Sequence, residues 1–281
     1  MGKRKLPVDI QKCSGYIEAM SLYNKIPNIS WRAYRVWQRN RDSYLRFYKA
    51  NLLGNLGEPL MYLFGMGVGI GGYLQEIEGV SYMEFIAPGL LMITAMYSAS
   101  FECTFGAFTR MTEQKTYDGV LATPLNVGDL VLGEILWGAT KSLIGSGVML
   151  MVIYLVGLMK SSILIIIPIL ILVFLVGILF SSIAMTVTAV CPSYDFFNYF
   201  FTLFLAPMFF FSGILFPLSN FPSWVKTVSS FMPLTHAVNI SRSLLSNTLY
   251  PSLILSAMFL IVFAVIFAIL SINLIERRVI K

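Results

Sequence analysis

The apolar residues of this chain fall in long unbroken blocks with no strand-like alternation. Blocks long enough to cross about 30 Å of hydrocarbon predict helices over 52–73, 85–108, 130–158, 163–190, 196–216 and 252–275. Six spans put both termini on one face of the membrane. The connections at 159–162 and 191–195 are barely long enough to turn, which leaves three larger polar pieces: a tail, a loop over 109–129 and a loop over 217–251. The expected layout is all-α: a tail over 1–50, a membrane domain over 51–276 and a short tail over 277–281. No signal peptide is expected to be removed, because the first 50 residues lack an apolar core followed by a small-residue cleavage site.

Within the tail, residues 31–49 predict a helix lying in the membrane surface. At about 100° per residue, Arg32, Arg35, Arg39, Arg46 and Lys49 share one arc. Trp31, Tyr34, Val36, Trp37, Tyr44, Leu45, Phe47 and Tyr48 fill the rest, with Arg41 out of place. Rings beside cations suit the headgroup zone; a plain positive-inside anchor is the alternative.

Composition agrees with lipid as the main solvent. Of 281 residues 57% are hydrophobic and only 12% charged, with a mean hydropathy of +0.76, against about 25% charge in a soluble domain. Cys13, Cys103 and Cys191 are odd in number and widely spaced, so neither a disulfide framework nor a zinc site is indicated. The net charge of +6 raises nucleic acid as a partner, but eleven of the twenty Lys and Arg precede residue 50, and anionic headgroups account for them better. Those cations, together with Arg110, Lys115, Arg277, Arg278 and Lys281, mark the tails and the 109–129 loop as cytoplasmic.

Catalytic chemistry is sparse. His236 is the lone histidine, and there is no GxSxG elbow, no acidic pair at helical spacing in mid-membrane and no metal-ligand cluster. Gly67-Val68-Gly69-Ile70-Gly71-Gly72 matches GxGxxG, yet it closes an apolar span; with Gly65 it is a small-residue ridge for helix packing. No GxxxxGK[ST] is present, so ATP hydrolysis by a P-loop would need another chain. Four charges fall at membrane depth, Glu58 (followed by Pro59), Glu102, Glu134 and Lys141. Each costs a few kcal/mol without a partner, which points to ion pairs or interfacial contacts ahead of an ion pathway.

Several separated motifs carry a resemblance. Leu52-Leu53-Gly54-Asn55-Leu56-Gly57-Glu58-Pro59-Leu60-Met61-Tyr62-Leu63, Phe101-Glu102-Cys103-Thr104-Phe105-Gly106, Thr116-Tyr117-Asp118-Gly119-Val120-Leu121-Ala122-Thr123-Pro124-Leu125, Pro192-Ser193-Tyr194-Asp195-Phe196-Phe197-Asn198-Tyr199, Phe211-Ser212-Gly213-Ile214-Leu215-Phe216-Pro217-Leu218 and Pro233-Leu234-Thr235-His236-Ala237 follow in order. Over about residues 30–275 the chain resembles the ABC-2 (type V) permeases of ATP-binding-cassette exporters, most of all those of the NodJ type that export nodulation lipo-oligosaccharides.

The resemblance implies a homodimer in a bacterial inner membrane, working with two copies of a cytoplasmic ATPase that binds ATP and Mg; this chain is then a transport subunit, not an enzyme, and holds no cofactor. It also implies that the loop at about 111–125 is a coupling helix, with Met111, Tyr117, Val120, Leu121 and Leu125 apolar and Arg110, Glu113, Lys115 and Asp118 polar, Pro124 closing it and Asp195 offering a second contact. In the last loop, Phe221, Trp224, Val225, Val228, Phe231, Met232 and Leu234 recur near helical spacing between Pro222 and Pro233, matching the family's re-entrant helices at the outer exit.

The fifth span is dense in rings: Phe196, Phe197, Tyr199, Phe200, Phe201, Phe204, Phe209, Phe210 and Phe211. Tyr62, Phe197, Phe200, Phe201 and Phe204 are the candidate substrate path, with lipid-facing packing as the alternative. The cargo implied is an amphipathic glycolipid or lipo-oligosaccharide; a small hydrophobic drug, or ion-coupled transport without ATP through the buried charges, are the rivals.

Overall fold

A computed structural model describes residues 29–46, 57, 60–73, 76–77, 79–159, 163–247 and 250–279. Glu58, the start of the first expected span, and Phe47, Tyr48 and Lys49 of the surface helix lie outside the described residues. Among the described residues the chain is helical: α1 (Ala33–Arg46), α2 (a π turn, Tyr62–Met66, continuing into Gly67–Gly69), α3 (Tyr82–Thr112), α4 (Thr116–Leu121), α5 (Val127–Leu155), α6 (Ile166–Val190), α7 (Asp195–Phe211), α8 (Ser223–Ser230), α9 (Pro233–Leu245) and α10 (Ser252–Val279). Of these, α3, α5, α6 and α10 are long and apolar enough to cross a membrane, and α7 is a shorter apolar helix.

The bundle is arranged around α3, whose apolar stretch is 83% buried, against 11% for α10 at the periphery. Lipid offers no hydrophobic drive between helices, so close approach rests on small residues. A Cβ at Gly145 would stand 2.9 Å from Ser98 Oγ, and one at Gly177 2.8 Å from Ala139 Cα, so α3, α5 and α6 meet along a seam of glycine, alanine and serine. Hydroxyls lock it: Ser142 Oγ donates to the Ala95 carbonyl (2.8 Å) and Ser146 Oγ to that of Leu91 (3.2 Å). On the ridge in α2, Gly67 closes on Met83, whereas Gly65 and Gly69 face open space.

Three helices carry a π segment, Tyr62–Met66, Glu102–Gly106 and Phe200–Leu205. A π turn interrupts the i−4 ladder and releases a carbonyl for a lateral donor. In α3 the donor is Thr188 Oγ1 of α6, 2.7 Å from the Cys103 carbonyl. Beyond α7 the chain turns through Leu218–Asn220 into α8 and α9, two short helices packed back against the bundle end. Ser229 Oγ donates to the Phe211 carbonyl (2.7 Å), and Ser241 Oγ to that of Pro88 (3.2 Å).

Candidate functional site

The 112–127 loop, the end of α3, the start of α5 and α1 form one assembly at the basic end of the bundle. Asn126 caps α5, with Asp129 at the third helical position completing the reciprocal capping box. Asp129 has a second task. Its carboxylate accepts from the backbone N–H (2.5 Å) and the hydroxyl (2.8 Å) of Ser30, which fixes the chain just ahead of α1, and Arg32 donates to the Pro124 carbonyl.

From there α1 lies on α5. A Cβ at Gly133 would stand 2.5 Å from Val36 Cβ and 2.7 Å from the Ala33 carbonyl oxygen, so only glycine lets the two helices approach this closely. Ala33, Val36 and Asn40 make the inward face, at the i, i+3, i+7 spacing of one helix side. Trp37 Nε1 donates to Thr140 Oγ1 (2.9 Å), and Tyr44 meets the Trp137 ring edge-on at 5.5 Å. Trp31, Tyr34 and Leu45 stay exposed with Arg32 and Arg35. The wheel puts Arg39 among the headgroup cations; here it is turned toward α5 because a buried carboxylate waits there.

That carboxylate is Glu134, wholly buried. It accepts from Arg39 Nη2 (3.0 Å), Asn40 Nδ2 (3.1 Å), Arg110 Nε (3.1 Å) and Arg110 Nη2 (2.5 Å). Arg110 Nη1 also lies 2.8 Å from Glu102 Oε1, whose other oxygen takes Lys141 Nζ at 2.8 Å. The result is an unbroken chain, Arg39, Glu134, Arg110, Glu102, Lys141, crossing from α1 through α5 and α3 and back to α5. Lys141 ends it with its ammonium 5.7 Å from the Tyr44 ring centre. The chain borders an open cavity of about 600 Å³ that Ser43, Phe105 and Gln114 also line.

The loop itself divides into two faces. Tyr117 is buried in a cluster with Val36 and Leu130, and burial, then the nearby Glu134 charge, push its phenol well above the usual range. Leu121 and Met111 are half-buried beside the same cluster. Glu113, Lys115, Asp118 and Pro124 are exposed, with Lys115 in the left-handed region (φ 49°) making the corner between α3 and α4. Arg110 and Tyr117, which the sequence places on the loop's contact face, therefore point into the protein. Asp195 is exposed at the same end, where Tyr194 Oη is 2.9 Å from Thr109 Oγ1.

The candidate path is more interior than the sequence suggests. Phe197 is packed among Phe105, Phe108 and Tyr194, and Phe200 is buried. Phe201 stacks on Phe101 at 4.4 Å and on Tyr97 at 6.2 Å, and Tyr62 meets Phe209 at 5.4 Å. Phe204 is 38% exposed and stacks on Phe200. The open side of this column also includes Phe101 and Tyr199, each the residue just before a π segment. Ser30, Arg39, Asn40 and Asp129 join the basic-end site; of these only Asp129 has a local signal, as partner of Asn126 three residues before it. Among the described residues no group of His, Cys, Asp and Glu is placed to hold a metal.

Comparison with known proteins agrees with this architecture. The family model described as ABC-2 type transporter matches residues 33–246. Nodulation protein J of Sinorhizobium fredii is 37% identical over 257 residues, covering 91% of this chain and 97% of that protein. Nodulation protein J of Rhizobium meliloti is 36% identical, covering 90% and 96%, and the inner membrane transport permease YadH of Escherichia coli is 23% identical over 41% of this chain and 45% of its own length. A long-helix apolar bundle with near full-length relatives makes this a multi-pass membrane component of a transporter, and the chain belongs to the ABC-2 type transporter family.

Proposed function

We propose that two copies of this chain form the membrane pathway of an exporter driven by a separate cytoplasmic ATPase, and that the cargo is an amphipathic glycolipid or lipo-oligosaccharide. Family membership and the Nodulation protein J relatives support export. The excess of cations at the end bearing α1 supports a cytoplasmic placement for it. The observation that carries the reading is the joining of the loop and α1 into one body by Asp129, Glu134 and Gly133.

ATP and Mg reside on the ATPase, whose closure presses on Glu113, Lys115, Asp118 and Pro124, with Asp195 as a second contact. Tyr117, Met111 and Leu121 behind that face receive the push. Arg110 passes it to α5 through Glu134 and, through Arg39, to α1. Since α1 rides on α5, it moves with the loop and changes access to the cavity beneath it. Cargo then passes the open side of the aromatic column, where ring faces give contact area with little directional bonding.

The test is purification of the tagged protein in mild detergent with mass spectrometry of bound chains and lipids. A stoichiometric partner containing GxxxxGK[ST] and an enriched glycolipid are expected, and Asp118→Lys and Leu121→Ala should each weaken ATPase retention or its stimulation. A homomer carrying no ATPase, or coupling unchanged in both variants, overturns the reading.

A further inference from the structure

At the end opposite α1 a second cavity, of about 660 Å³, opens between the start of α3, the re-entrant helix α9 and the start of α10. This volume falls among those of small-molecule sites. Its polar wall is made by Ser219, Asn239, Ser243, Tyr250, Ser252 and Ser256, all hydroxyls but for one carboxamide. Asn239, Tyr250 and Ser252 are exposed, and their side chains make no hydrogen bond among the described residues. Ser256 is oriented by His236: imidazole Nε2 lies 2.9 Å from the Ser230 carbonyl and so bears the proton, leaving Nδ1 to accept the Ser256 hydroxyl at 3.1 Å. Ser256, which lines the cavity, is then left as an acceptor.

Charge separates this cavity from the basic one. Its two charged residues are Glu84 and Arg242, one of each sign. Arg242 Nη2 donates to the carbonyls of Phe85 (3.3 Å) and Gly213 (3.0 Å), with the guanidinium 4.0 Å from the Phe85 ring centre. No net field draws a phosphate, and Val80, Ala87, Pro88 and Leu253 supply an apolar side. An apolar surface facing uncharged donors and acceptors is complementary to a sugar ring, whose C–H faces are apolar and whose edge carries hydroxyls.

We infer that this cavity binds the neutral sugar headgroup of an amphipathic glycolipid at the outer end of the bundle. The inference rests on the exporter reading for its biological meaning, but its test needs no ATPase. Protein in lipid nanodiscs is labelled with a photoreactive dodecyl maltoside, and the labelled residues are mapped by mass spectrometry. Labelling is expected at Asn239 and between Tyr250 and Ser256, competed by dodecyl maltoside and, at higher concentration, by free maltose, but not by dodecyl phosphocholine. The double variant Asn239→Ala/Ser252→Ala should lower it at least ~5-fold, and Asn239→Trp should block it with the thermal transition unchanged. Competition by maltoside with none by free maltose would assign recognition to the lipid-linked headgroup and supports the site. Labelling unchanged in both variants, or competed equally by phosphocholine, overturns it. No labelling of the cavity in a parent protein that performs ATP-driven export would overturn this inference alone; intact labelling in a protein that exports nothing supports the site and overturns only the exporter reading.

Discussion

The two ends of the bundle are held together by different chemistry. At the basic end, three cations and two carboxylates are sunk between α1, α3 and α5 and satisfy one another. At the other end, α8 and α9 are attached by neutral hydroxyl-to-carbonyl bonds such as Ser229 to Phe211 and Ser241 to Pro88. A buried charge stripped of its partner costs several kcal/mol, whereas a neutral hydrogen bond contributes about 1 kcal/mol. The basic end therefore holds together as a unit, and the opposite end can rearrange one bond at a time. The exporter proposed above, pushed at one end and opening at the other, would need this division.

The widest separation between the ends should come from Glu134→Ala. It leaves Arg110 and Arg39 facing an empty carboxylate site, so thermal unfolding in nanodiscs should register a loss of about 3–5 kcal/mol. Ser229→Ala, the matching change at the outer end, should cost about 1 kcal/mol. Similar losses for the two would abolish the contrast.

Next in size is Gly133→Val. Its branched side chain meets Val36 and the Ala33 carbonyl, where even a Cβ has no room, and overpacking of this kind costs about 1–3 kcal/mol. A cysteine pair placed across α1 and α5 should lose its cross-linking along with it. Gly65→Ala, at a glycine with open space around it, should alter neither quantity.

How much of this was legible follows from where each signal resides. Two of the apolar blocks, 85–108 and 163–190, match the long apolar helices Tyr82–Thr112 and Ile166–Val190 to within four residues, because a long apolar run is visible in composition alone. The wheel over 31–49 separates cations from rings but treats the surroundings as uniform, so it assigns Arg39 to headgroups; which arc turns inward depends on a carboxylate 95 residues away. Arg110 and Tyr117 turn inward for the same reason. A loop residue's orientation is fixed by what it packs on, here Glu134, Val36 and Leu130, and none of these is near it in sequence. The π turns, which aim Glu102 and Phe201, arise from packing and leave no periodic trace.

Asp129 sharpens the comparison at intermediate energy, since it serves a local cap and a long-range tie together. Asp129→Asn retains an acceptor for the capping box and for Ser30 and loses only the charge, while Asp129→Ala loses both bonds. The alanine variant should cost about 1–2 kcal/mol and the asparagine variant less, and only the alanine variant should expose the chain at Ile29 and Ser30 to protease. Equal protease sensitivity in both would place the tie to Ser30 in the charge alone.

The smallest effect tests whether the interior of the basic end is as dry as its charges imply. Among the described residues the buried Tyr117 hydroxyl has no hydrogen-bond partner, so Tyr117→Phe removes a polar atom that gains nothing there, and stability at pH 7 should be unchanged or rise by up to about 1 kcal/mol. The pH dependence has a definite sign. Tyr117 ionises near pH 10 in the unfolded chain and higher in the folded one, because burial and then Glu134 oppose the phenolate. Between the two values the unfolded chain has lost a proton that the folded chain keeps, so stability is fully present below about pH 10 and falls as pH rises beyond it. The phenylalanine variant lacks that proton in both states, and its stability relative to the parent should therefore increase from pH 9 to pH 11. A difference that stays flat across this range would mean that water reaches Tyr117, and that the loop is not packed against Glu134 tightly enough to carry a push into α5.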